Sequence, residues 1–174
     1  RVIDAVIEGK SVYDIDGVSF LKHGKVQRNK PLPRREDPLL INFVENFYNE
    51  VSDLMNFYLE KYGKVIFQSY IAQGCPYSCS FCEQGTALWN KVTRRPLEHV
   101  FREIDFLLNY KNIMYEFVDA NFGITEDYIK VIEYINEKNT QNRMHLWYPT
   151  FAKNNVDNVF EIIEKMMQGN LLKS

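Results

Sequence analysis

From Lys64 onward the chain alternates strand-like and helix-like patterning three times, with a cysteine-bearing loop after the first strand. No other feature restricts the fold as much. A buried strand is predicted over 65–72 and a helix over 97–110, where Val100, Phe101, Ile104, Leu107 and Leu108 recur at steps of three and four. A strand over 113–118 and a helix over 126–137 follow, the helix carrying Ile129, Ile132, Tyr134 and Ile135. A strand over 144–148 and a helix over 156–167, with Val159, Phe160, Ile162, Ile163 and Met166, complete three β–α units. Consecutive units of this kind favour a parallel sheet with helices outside it. In such sheets the working residues gather at the C-terminal ends of strands. The loops over 75–85, 119–123 and 149–155 are therefore expected to face one site.

Upstream, three stretches read differently. Val2, Ile3, Val6 and Ile7 have helical spacing and stop at Gly9. Val18, Phe20 and Leu21 lead to His23-Gly24, a hairpin turn signal, and Val26 follows. Two prolines in the stretch 29–35 remove donors and fix φ, which makes it a linker. A long amphipathic helix is predicted next, with Asp37 as N-cap and Pro38 in the first turn. Its stripe includes Leu40, Phe43, Val44, Phe47, Val51, Leu54, Met55, Tyr58 and Tyr62, and Gly63 ends it. The spacing accounts for these aromatics as core. The expected organisation is thus 1–36 as connector, 37–63 as helix and 64–174 as α/β segment.

The chain has 174 residues, 45% of them hydrophobic and 25% charged, the balance of an ordinary globular domain. Its net charge of −2 does not support a nucleic-acid module driven by bulk charge. No apolar run approaches the roughly 20 residues that span a bilayer. No basic region followed by an apolar stretch opens the chain, so the expected compartment is the cytoplasm. A start without Met, and an end at Leu171-Leu172-Lys173-Ser174 that looks set to enter another element, are read as signs of a piece of a longer protein.

Cys75, Cys79 and Cys82, the only cysteines, stand within eight residues as Gly74-Cys75-Pro76-Tyr77-Ser78-Cys79-Ser80-Phe81-Cys82. An odd count at this spacing makes a poor disulfide framework, and clustered cysteines in a reducing compartment are more often metal ligands or catalytic groups. Three thiolates can each bind one iron of a cubane and leave the fourth iron without a protein ligand. Electron-transfer clusters usually have four cysteines, so a vacancy is a ligand position. Two alternatives stay open. One is a structural metal site without catalysis, either iron–sulfur or zinc held by the cysteines with His99 or His23, although zinc sites favour paired cysteines or a paired Cys and His set. The other is a thiol redox centre at Cys79-Ser80-Phe81-Cys82, which leaves Cys75 unexplained.

The C-x3-C-x2-C loop after the first strand resembles that of the radical S-adenosylmethionine (SAM) superfamily. The resemblance covers about residues 64–174. It implies an α/β fold, a partial (half) radical-SAM (β/α) barrel with three β–α units, preceded by a small hairpin, a linker and the long helix. It implies an enzyme with a 4Fe-4S cluster on Cys75, Cys79 and Cys82, and SAM chelated by the open iron and cleaved to a 5′-deoxyadenosyl radical. It also implies a small-molecule substrate and an electron donor such as flavodoxin or ferredoxin. The aromatic before the third cysteine, Phe81, is implied to lie beside adenine, or else to wall the cluster pocket. Asp119-Ala120-Asn121-Phe122-Gly123 stands where many members carry a Gly-Gly-Glu-like motif. Asp119 and Asn121 are therefore candidate SAM contacts, with Asp119 alternatively a turn or cap residue. Lys153 and Asn154 are candidates for a carboxylate or ribose contact, or else part of a solvated loop.

Residues 1–35, the stretch 94–104 and Phe117 to Gly123 also resemble the branch that carries an upstream cobalamin-binding domain. That branch implies methyl transfer or a related radical reaction in the complete protein, with cobalamin held by a domain absent from these residues. Half a barrel has an open strand edge, so the chain is expected to self-associate or to be stabilised by the long helix.

Overall fold

A computed structural model describes residues 2–32, 43–82, 91–147 and 156–172. The chain divides into two compact units, Arg1–Glu36 and Asp37–Ser174.

The first unit holds helix α1 (Val2–Ile7) and the antiparallel strands β1 (Ser19–Lys22) and β2 (Lys25–Arg28). His23 and Gly24 join the strands with φ of 51° and 75°. Positive φ at both central residues of a two-residue turn matches the right-handed twist of the flanking strands. The Asn29 side-chain Nδ2 donates to the Tyr13 and Ile15 carbonyls and closes the chain back on the hairpin.

The second unit is α/β. Its elements are α2 (Phe43–Tyr62), β3 (Val65–Ser69), β4 (Ala72–Gln73), β5 (Thr93–Arg94), α3 (Leu97–Leu107), β6 (Ile113–Phe117), α4 (Asp127–Lys138), β7 (Met144–Leu146) and α5 (Val156–Gln168). The predicted start of the long helix at Asp37, Pro38 and Leu40 lies outside the described residues. Its predicted stop holds: Gly63 takes φ of 72° and donates to the Leu59 carbonyl.

Strands β3, β6 and β7 form a parallel sheet in that order, with Val65 opposite Ile113 and Ile113 opposite Met144. Sequential order with all strands parallel is how a (β/α) barrel opens. Beyond α5, Leu146 donates to the Leu171 carbonyl and Leu172 forms a parallel bridge to Leu146, so the sheet continues past β7 in the same sense.

Alternation of side chains along the strands gives the sheet two unlike faces. Ile113, Tyr115, Phe117, Met144 and Leu146 enter the core with Val100, Ile104, Leu107, Val131, Ile132, Ile135, Ile162 and Met166 from the three following helices. The opposite face carries Ile66, Gln68, Glu116 and His145 and stays partly exposed. The strand predicted as buried over 65–72 is therefore corrected in two ways. It is half exposed, with Ile66 48% accessible, because only one face is covered by helices. It also ends at Ser69, and Ala72 and Gln73 belong to a separate antiparallel pair with Arg94 and Thr93.

Helix α2 lies beside β3 and α3 and buries Met55. An apolar groove of about 540 Å³, lined by Val51, Leu54, Tyr58, Tyr62, Ile66 and Phe67 among others, remains between α2 and β3. Among the described residues no helix is long and apolar enough to cross a membrane.

Candidate functional site

The chain leaves β3, turns at Tyr70 and Ile71, and pairs β4 with β5. This two-residue ladder closes the base of an excursion that carries all three cysteines. At its start Gly74 takes φ of 96°, a region open to glycine without strain. Cys75 is buried, Cys79 and Cys82 are half-buried, and none of the three is in a disulfide. The Cys82 amide donates to the Cys79 carbonyl at 3.1 Å and makes a tight turn. Residues 83–90 of the predicted loop lie outside the described residues.

The loop after β6 holds the base of this excursion. Asp119 is buried and its Oδ1 accepts from the Ala72 amide at 2.6 Å, the Ile71 amide at 3.0 Å and the Tyr128 hydroxyl at 2.8 Å. Its Oδ2 takes a longer bond of 3.3 Å from Ile71. Burial raises the Asp119 pKa, and the bonds from Ala72, Tyr128 and Ile71 offset part of that effect. Burial, followed by the Asp119 charge, raises the Tyr128 pKa, so its hydroxyl stays a donor. Two residues on, Asn121 is also buried, and its Nδ2 donates to Cys75 Sγ at 3.0 Å.

A second buried cluster braces the same corner. Arg95 donates from its backbone to the Ile71 carbonyl at 2.8 Å and from its guanidinium to Ser69 Oγ at 2.9 Å. The guanidinium also pairs with Glu103 at 2.7 Å, and the Tyr115 hydroxyl donates to the other Glu103 oxygen at 2.5 Å. Burial, then the neighbouring Glu103 charge, holds the Tyr115 pKa well above its ordinary value. No role for Arg95, Glu103, Tyr115 or Tyr128 is read from the sequence. One signal was available: Glu103 interrupts the apolar stripe of Val100, Ile104 and Leu107, and a carboxylate there needs a buried partner.

The structure thus brings Asp119 and Asn121 to the cysteine loop. Phe81 is 87% exposed on that loop, and Lys153 lies outside the described residues. His99 is half-buried on α3. Among the described residues no three His, Cys, Asp or Glu side chains meet in a group able to hold a single metal ion. A cubane has a different requirement, since each thiolate binds its own iron. Three soft thiols on one loop, none of them in a disulfide and one with a hydrogen-bond donor at its sulfur, fit that donor set.

No family model matches. A cobalamin-dependent radical SAM methyltransferase, TokK of Streptomyces tokunonensis, is 32% identical over 105 residues, covering 58% of this chain and 15% of that protein. The 2-(S-pantetheinyl)-carbapenam-3-carboxylate methyltransferase of Streptantibioticus cattleyicolor is 31% identical over 101 residues, covering 58% and 15%. An uncharacterised methyltransferase of Pyrococcus horikoshii is 27% identical over 128 residues, covering 72% and 27%. Among solved structures, the cobalamin-dependent SAM radical enzyme OxsB with aqua-cobalamin bound matches 94% of this chain and 24% of its own, at 16% identity and a TM-score of 0.47. The chain therefore spans between 15% and 27% of the length of these curated relatives, all of which are named as methyltransferases, one of them expressly as a radical SAM enzyme.

Proposed function

We propose that this chain is the cluster-bearing part of a radical SAM methyltransferase acting on a small-molecule substrate, with cobalamin held elsewhere in the whole protein. The observation that carries this is the set of three cysteines, none in a disulfide, at C-x3-C-x2-C spacing beyond the C-terminal end of the first parallel strand. The names of the relatives support the methyl-transfer part of the proposal.

Cys75, Cys79 and Cys82 are the residues to hold a 4Fe-4S cluster. When bound, the cluster supplies one electron to cleave SAM, and cobalamin supplies a methyl carrier. Asp119 has three protein donors on one oxygen, so its role is to fix the base of the cysteine loop, leaving only Oδ2 lightly engaged for an ammonium. Phe81 is free to stack on adenine, being exposed beside Cys82. The half-exposed sheet face with Gln68, Glu116 and His145 offers polar groups to a substrate.

Anaerobic reconstitution with iron and sulfide, followed by EPR of the reduced protein, tests the proposal. A cubane signal that changes on adding SAM and is lost in Cys75→Ala is expected. Retention of stoichiometric zinc with no cubane refutes it and leaves the structural-metal alternative.

A further inference from the structure

Every cysteine sulfur bound to one iron keeps lone pairs, and a donor aimed at them stabilises the more negative, reduced state of a cluster. Asn121 supplies such a donor: its Nδ2 stands 3.0 Å from Cys75 Sγ, and both residues are buried. Burial matters because a hydrogen bond shielded from water is electrostatically stronger than an exposed one. The backbone around the pair is fixed from both sides. Asp119, two residues before Asn121, is bonded to Ile71 and Ala72, which lead directly into Gly74 and Cys75. The donor and the sulfur are thus tied together through the protein.

We propose that Asn121 is a positioning residue that raises the reduction potential of the cysteine-bound cluster by donating a hydrogen bond to Cys75 Sγ, rather than a direct contact to SAM. This rests on the proposed cluster function. Reduction adds one electron to the cluster from an external reductant, with no bond made or broken in the protein. Loss of the donor leaves the reduced form less stabilised and lowers the potential.

The test is an EPR-monitored redox titration, with dithionite as reductant, of the reconstituted protein and of Asn121→Leu, each first without and then with SAM. Removing one charge-assisted bond is expected to lower the reduced-to-oxidised ratio at a fixed potential about tenfold, a shift of about 59 mV for one electron. A change under about twofold, or a change seen only when SAM is present, overturns the inference while leaving the cluster function standing. Failure of the unsubstituted protein to form a cubane overturns the function itself. If Asn121→Leu does not load a cluster, pulsed EPR of the unsubstituted protein grown with ¹⁵N-asparagine decides. A weakly coupled asparagine nitrogen supports the bond, and its absence refutes it.

Discussion

Asp119→Ala isolates the contact that fixes the cysteine loop to the sheet. The substitution strips partners from three donors, the Ile71 and Ala72 amides and the Tyr128 hydroxyl, in a place where Asp119 itself is only 7% exposed. Each buried donor left without a partner costs about 1–3 kcal/mol. Against this, removing a carboxylate whose pKa is raised by burial relieves part of its desolvation penalty. The expected net loss is about 2–4 kcal/mol, a large fraction of a typical domain's stability. Urea denaturation followed by tryptophan fluorescence reads the loss, since Trp147 lies in the same unit. Hydrogen exchange adds the local signature: the Ile71 and Ala72 amides should exchange faster while those of α4 change only in step with global stability. A loss under about 0.5 kcal/mol, with Ile71 and Ala72 still protected, refutes the idea that this carboxylate anchors the loop.

Asp119→Asn removes the titration and keeps the shape. Because the folded pKa is raised above the ordinary 3.8, the stability tied to this group is full below that value and declines as pH rises through the folded pKa. The stability of the unsubstituted protein relative to Asp119→Asn should therefore decline as pH rises above about 3.8, in denaturation series at fixed ionic strength; a difference independent of pH refutes it. Glu103→Ala takes the carboxylate partner from the largely buried Arg95 guanidinium and from the Tyr115 hydroxyl, and should cost about 3–5 kcal/mol. A double-mutant cycle with Arg95→Ala should show strong non-additivity, and additive losses would disprove the coupling. Gly169→Ala drives a methyl group into Asn136 Oδ1, on a side chain already bonded to the Lys165 carbonyl. It should lower thermal stability by about 1–3 kcal/mol, and an unchanged melting temperature would show that Asn136 yields freely.

The parts of this fold that were legible in the sequence are those that repeat. Helices α3, α4 and α5 declare themselves by apolar stripes, and β6 and β7 by compact runs between turn residues. The hairpin at His23-Gly24 is legible because only a few residue types accept positive φ there. The β4–β5 ladder was missed because two residues carry no period, and its partners are 20 or more positions apart in sequence. Asp119 and Asn121 were picked out as contacts to a ligand, yet their bonds run to Ile71, Ala72 and Cys75, 46 to 48 positions back along the chain. Spacing can report that three sulfurs lie together on one loop. It cannot report which side chain from the next β–α unit meets them, because that depends on the parallel register of β3 and β6. Ser69 stands opposite Phe117, so the two strands end level and their loops meet as soon as each leaves the sheet. The contacts that prepare the cysteine loop thus follow from strand pairing, and a one-residue slip of β6 would turn Phe117 out of the core and carry Asp119 and Asn121 away from the cysteines.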